Sequence, residues 1–174
     1  HGFSPNAGVG DMSDFRLKRK VDAAFSTINS FRHLPTERAA ESHLRCVAAA
    51  LARGGLYVLG LHLTPTRPPH CTEESWSARR GRLAVVSRMW SIGVDRRRRQ
   101  ERLGFTLDVH TPKRQFRLED EFVFRTYTAA QFRRLLGRIP ELEIVQTYDF
   151  SYDVDQPIRV TGQSEDVVYV LRKR

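Results

Sequence analysis

The stretch Thr36–Leu63, TERAAESHLRCVAAALARGGLYVLGLHL, decides the fold. Its first half is predicted helical over Thr36–Arg53. Thr36 follows Pro35 and can cap the first free backbone N–H groups, Glu37 suits the positive end of the helix, and Ala40, Leu44, Val47 and Leu51 recur at helical spacing. Gly54 and Gly55 read as the stop, because glycine tolerates the left-handed conformation at a helix C-terminus. Leu56–Leu63 follows as a strand apolar on both faces, as in a parallel sheet covered by helices. With the apolar run Val21–Phe25 upstream, these pieces make one βαβ unit, and ligands of such units bind where the strands end.

Towards the N-terminus, Val21–Phe25 stops at the polar cluster Ser26, Thr27, Asn29 and Ser30, the pattern of a buried parallel strand. Ala7–Val9, running into Gly10, Asp11 and Met12, reads as a strand end opening into a loop. Towards the C-terminus, Thr64–Trp76 holds Pro65, Pro68 and Pro69 and is expected to be a loop or lid. Leu83–Val94, Arg102–His110 and Gln115–Arg125 then alternate like antiparallel strands joined by polar turns. A helix is predicted over Thr128–Arg138: Thr128 and Gln131 form a capping box, and Tyr127 and Phe132 a hydrophobic staple. Leu142–Tyr148 and Val167–Leu171 are the last two strands.

A chain of 174 residues, 40% of them hydrophobic, suffices for one domain with a real core. The excess of 29 Lys and Arg over 20 Asp and Glu gives a formal charge of +9, which concentrates anions near the surface. Most of those cations are Arg on solvated faces, and Arg96–Arg99 reads as an exposed hairpin tip, so nucleic acid is not the favoured partner. Cys46 and Cys71 are the only cysteines, and with no secretory segment a cytoplasmic setting without disulfides is expected. No apolar run approaches the roughly 20 residues of a spanning helix. His62, His70 and Cys71 lack the paired spacing of a zinc site, so no metal is expected.

The order of elements and three local strings resemble the class I S-adenosylmethionine-dependent methyltransferases. GDMSDF (Gly10–Phe15) is similar to the family's segment after the third strand, where an acidic residue approaches the adenine. VDAAFSTINSFRHL (Val21–Leu34) is similar to the fourth strand and the loop beside the cofactor's methionine part. LARGGLYVLGLHL (Leu51–Leu63) resembles the family's helix end, double-glycine turn and fifth strand. The resemblance implies an α/β fold: a Rossmann-like sheet, incomplete here, an antiparallel β insertion after the fifth strand, and a C-terminal antiparallel strand pair over 141–172. All of it forms one domain, 1–174, in which the insertion, residues 77–126, covers the substrate. The chain departs from the family in supplying no glycine-rich GxGxG turn, and HGFSP (His1–Pro5) has no acid to bind the ribose. Only Asn6 separates Pro5 from Ala7 where the family places a helix.

The implied activity is transfer of a methyl group from S-adenosyl-L-methionine to a small-molecule acceptor by in-line displacement. Such chemistry needs alignment above all, and positioning supplies on the order of 7–11 kcal/mol. For the cofactor, Asp11 would accept from the adenine amine, Met12 would lie on the ring, and Ser26 and Thr27 would meet the methionine part; an ordinary loop Asp, a core Met and loop-capping hydroxyls are the plainer readings. Asn29 and His33 would face the substrate, His33 as general base, and His62 ends the fifth strand in position to contact the acceptor. Trp76, Arg88, Trp90 and Arg125 would roof the pocket and suit a carboxylate or phosphate on the acceptor. The alternative is a degenerate, non-catalytic module that binds a partner or RNA through its basic surface.

Overall fold

A computed structural model of the chain describes residues 7–67 and 72–174. Helix α1 spans Glu37–Ala50, and the Thr36 hydroxyl accepts from the Ala39 N–H at 3.1 Å, so the expected cap is in place. The helix ends before the predicted Arg53 because Leu51 is already extended and starts strand β2 (Leu51–His62). The two glycines serve that strand instead. β2 runs parallel to β1 (Val21–Ser26), with Val21 opposite Leu51 but Ala23 opposite Leu56. The surplus residues bulge out, Gly54 at φ 80, and a Cβ on Gly55 would stand 2.9 Å from the Ala52 carbonyl oxygen.

Strands β7 (Leu142–Tyr148) and β8 (Asp166–Lys173) complete a four-stranded sheet in the order β1-β2-β8-β7, with β8 antiparallel to both neighbours. Helix α2 (Ala129–Leu136) precedes them, and Thr128 and Gln131 make both bonds of the capping box. The Tyr127 and Phe132 rings meet at 6.2 Å. Both helices cover one face of the sheet, where Tyr57, Leu59, Leu61, Val167, Tyr169 and Leu171 join Phe31, Leu44, Val47 and Phe132 in a single core. Each large side chain so buried contributes about 1.5–3 kcal/mol. The other face carries Phe25, Val58 and Val170 in register, and Phe25 is 79% exposed. β2 is thus helix-covered on one face, not both, and the outer edge of β1 has no partner strand among the described residues.

A second, wholly antiparallel sheet follows in the order β3 (Glu73–Arg80), β4 (Leu83–Asp95), β5 (Gln100–His110), β6 (Gln115–Arg125). β3 begins inside the predicted Thr64–Trp76 loop; its sequence, EESWSARR, is exposed almost throughout and shows no apolar alternation. Ala7–Gly10 forms no strand, since no neighbouring strand among the described residues offers a ladder, and Val9 is fully exposed. No helix among the described residues is long and apolar enough to cross a membrane.

Candidate functional site

The parallel strands β1 and β2 end side by side at Ser26 and His62, and Asp166, first residue of β8, is the cross-strand partner of His62. His62 Nδ1 lies 2.7 Å from Asp166 Oδ1. An ionised carboxylate only accepts, so Nδ1 carries a hydrogen, and in the neutral ring the lone pair is on Nε2. The His62 side chain is 12% exposed, and its backbone N–H donates to Asn29 Oδ1 at 2.6 Å. Asn29 adopts a left-handed conformation, φ 52, and opens a 3-10 turn, Ser30–His33, that carries the chain across the strand ends.

That turn delivers Arg32, whose side chain is only 4% exposed. Its guanidinium donates to Glu101 Oε2 at 2.5 Å and to the Arg125 carbonyl at 3.2 Å, and lies over the Phe124 ring. Burial pulls Arg32 below its ordinary value, and Glu101, Glu74 and Asp166 work against this. Above Arg32 and His62, the second sheet closes a narrow cleft with Glu73 and Glu74 of β3, Met89 and Ser91 of β4, and Glu101 of β5.

The cofactor candidates lie on the neighbouring segments. Asp11 Oδ1 accepts from both the N–H and the hydroxyl of Ser13 at 2.7 Å, and these two bonds hold its carboxyl below the usual range. The Met12 side chain packs partly against the core, while its carbonyl meets His43 Nδ1 at 2.9 Å. His43 Nε2 in turn meets the Tyr57 hydroxyl at 2.9 Å, and burial raises the Tyr57 phenol well above its normal value against a counteracting bond from Ser26. A run of polar contacts therefore ties the Asp11–Met12 loop to Tyr57 on β2. The Thr27 carbonyl accepts from the Tyr152 hydroxyl at 2.9 Å and crosses β2 at Gly60, where a Cβ would stand 2.2 Å from that oxygen.

The remaining predicted residues lie elsewhere. His33 packs tilted against Phe122 and edge-on against Phe124, at 5.7 and 4.7 Å between ring centroids. Arg125 is spent on Glu37 and the Pro35 carbonyl, both at 3.4 Å. Arg88 and Trp90 stand on the face of β4 opposite to Met89 and Ser91, and Trp90 lies over Gly104. Trp76 shares the cleft-side face of β3 with Glu74 and is half exposed. The structure thus gathers Asn29 and His62 in one cleft, beside Ser26 and Thr27, and leaves His33, Arg88, Trp90 and Arg125 out of it.

Arg32, Glu74, Glu101 and Asp166 are the site residues that the sequence did not single out. Only Asp166, an acid placed just before the Val167–Leu171 run, carried a signal, and using it needs the strand register. His70 and Cys71 lie outside the described residues. Among those described, no group of three or more His, Cys, Asp or Glu is placed to hold a metal ion.

No family model and no curated protein sequence matches the chain. Solved structures do. An S-adenosylmethionine-dependent methyltransferase from Clostridium acetobutylicum ATCC 824 matches with a TM-score of 0.75 at 14% identity, over 99% of this chain and 66% of that one. CalS10, an amino pentose methyltransferase from Micromonospora echinaspora solved with S-adenosylmethionine bound, matches at TM-score 0.66 and 16% identity, over 95% and 63%. The sugar N-methyltransferase KedS8 from Streptoalloteichus sp ATCC 53650 matches at 0.67 and 18%, over 95% and 61%. The chain has the mixed α/β fold of these S-adenosylmethionine-dependent methyltransferases and spans slightly less than two thirds of their length.

Proposed function

We propose that the chain is part of a methyltransferase that moves a methyl group from S-adenosyl-L-methionine to a small-molecule acceptor by in-line displacement. The observation that carries this reading is the convergence of Thr27, Asn29 and His62 at the ends of two parallel strands, roofed by the second sheet, in a fold shared with methyltransferases. Asp11 fits the cofactor's amine end, being ionised and having an Oδ2 with no hydrogen bond among the described residues. Ser26 and Thr27 offer backbone groups to its methionine end, and the Met12–His43–Tyr57 contacts keep the two segments in fixed relation. When bound, the cofactor supplies a methyl group activated on a sulfonium.

The protein's own part is alignment and exclusion of water, the former from the strand ends and the latter from the roof. The cleft itself offers about 20 Å³, room for the reacting end of an acceptor only, and CalS10 and KedS8, by name, act on an amino pentose and on a sugar. The basic hairpin tip gives no comparable support to an RNA-binding reading. Asp95 caps the Arg97 and Arg98 N–H groups there, and Arg99 turns inward to Glu37 at 2.5 Å. Calorimetric titration of the full-length gene product with S-adenosylhomocysteine tests the proposal: saturable binding is expected, and none at millimolar ligand sinks it.

A further inference from the structure

The cleft has a charge opposite to that of the chain as a whole. The formal charge of the protein is +9, yet among the described residues the single guanidinium lining the cleft is Arg32, and Glu101 and the Arg125 carbonyl occupy it. What is left is acidic: Glu74 at the start of β3, with Asp166 behind His62. Glu74 is half-buried and makes no hydrogen bond or ion pair among the described residues. Beside it stands His62, whose neutral ring would present its lone pair at Nε2, the ring fixed by Asp166 at 2.7 Å and the backbone by Asn29 at 2.6 Å.

These two groups select the acceptor's chemistry. A carboxylate or phosphate would meet Glu74 as a like charge, and the guanidiniums once expected to receive it, Arg88 and Arg125, lie outside the cleft. An alcohol would leave Glu74 facing only Arg32, which is beyond ion-pair distance and already bound to Glu101. An ammonium ion satisfies both groups, donating to Glu74 and carrying the proton that His62 is placed to take.

We propose that the acceptor is an amine that enters as its ammonium ion, is held by Glu74 and is deprotonated by His62, with Asp166 as the residue that positions the imidazole. The inference rests on the methyl-transfer reading above. In the step, R–NH3+ gives a proton to His62 Nε2, and Asp166 balances the imidazolium. The freed nitrogen lone pair forms the N–CH3 bond as the S–CH3 bond breaks, its electron pair remaining on sulfur. The product leaves as R–NH2–CH3+, and His62 returns its proton to solvent. Without the deprotonation an ammonium nitrogen has no lone pair to attack with, which is why an amine acceptor needs a base here.

The test uses the full-length gene product with S-adenosylhomocysteine bound and three probes of one size: n-butylammonium, 1-butanol and butyrate. Each is titrated while the His62 ring resonances are followed by NMR, the assignment coming from their loss in His62→Gln. Butylammonium is expected to shift them and the other two not, and Glu74→Gln is expected to weaken that response about fivefold, as for a partly exposed ion pair. Nitrogen shifts of the ring should report Nδ1–H in the wild type, and a tautomer change in Asp166→Asn, whose amide can donate to Nδ1. Equal or stronger binding of butyrate or butanol, or an unchanged tautomer, overturns the inference and leaves methyl transfer standing. Absence of S-adenosylhomocysteine binding overturns both.

Discussion

His43 Nε2 lies 2.9 Å from the Tyr57 hydroxyl while its Nδ1 lies 2.9 Å from the Met12 carbonyl, so one buried imidazole joins α1, β2 and the Asp11–Met12 loop. The carbonyl can only accept, so Nδ1 carries the hydrogen, Nε2 accepts from Tyr57, and the ring is neutral. Burial pushes His43 below the free value of 6.5, the bond to Met12 opposing this in part. In the unfolded chain the ring takes up its proton as pH falls below 6.5, while the folded ring resists. Stability from this group is therefore complete above pH 6.5 and lost as pH falls from there through the lower folded value. Urea midpoints measured between about pH 8 and pH 5 should decline on the acid side, and His43→Gln should flatten that slope. An equal slope in the variant would exclude His43 as its source.

Tyr57→Phe isolates the other half of the same contact. It leaves His43 Nε2 buried without its donor, and the expected loss is about 1–3 kcal/mol in urea unfolding. Because His43 also holds the Met12 carbonyl, the variant should bind S-adenosylhomocysteine more weakly as well. Loss of stability alone, with cofactor affinity intact, would show that the contacts hold the fold and not the site.

Gly60→Ala tests the crossing of Thr27 over β2. The added Cβ would sit 2.2 Å from the Thr27 carbonyl oxygen and 2.7 Å from its carbon, and backbone must move to admit it. Overpacking of this kind costs about 1–3 kcal/mol. The shift falls on the segment assigned to the cofactor, so affinity for S-adenosylhomocysteine should drop with stability. A variant with native stability and affinity would mean the loop moves freely and contributes nothing there.

The parts of this fold that the sequence disclosed are those whose signal is local. The Thr36 cap, the Thr128–Gln131 box and the Leu142–Tyr148 strand involve residues within a few positions of each other, and the structure has each of them. The end of α1 was misplaced because Gly54 and Gly55 carry the same permissive backbone for a bulge as for a helix stop. β3 left no apolar pattern because it is exposed almost throughout. In the site, Asn29 and His62 stand where strand ends could be read, but which His has a carboxylate behind it depends on the β2–β8 register across 104 positions. Pairing of that range is invisible to periodicity. So is the choice of which face of β4 meets the cleft, and Arg88 and Trp90 alternate onto the other one.

Arg32 and Glu101 fasten the second sheet to the strand-end turn at 2.5 Å, with side chains 4% and 12% exposed. Breaking one side of so buried a pair strands a charge and costs about 3–5 kcal/mol, whereas replacing both by apolar residues leaves none. Arg32→Met and Glu101→Leu should each lower the unfolding midpoint sharply, and the double variant should recover a large part of the loss. Additive losses in the double-mutant cycle would argue that the pair is not coupled.

Asp11 is the sharpest test of where the cofactor lies, because its own neighbourhood offers a control. Its Oδ1 is engaged by Ser13 within the loop, so Asp11→Ala removes both a turn-forming acceptor and the proposed acceptor for the cofactor's amine. Ser13→Ala removes only one donor of the turn and keeps the carboxylate. A charge-assisted hydrogen bond to the ligand corresponds to a loss in affinity on the order of tenfold or more. Asp11→Ala should show such a loss for S-adenosylhomocysteine by calorimetry, and Ser13→Ala a much smaller one. Equal effects in the two variants would trace the loss to loop geometry, and no effect in either would place the adenine away from Gly10–Phe15.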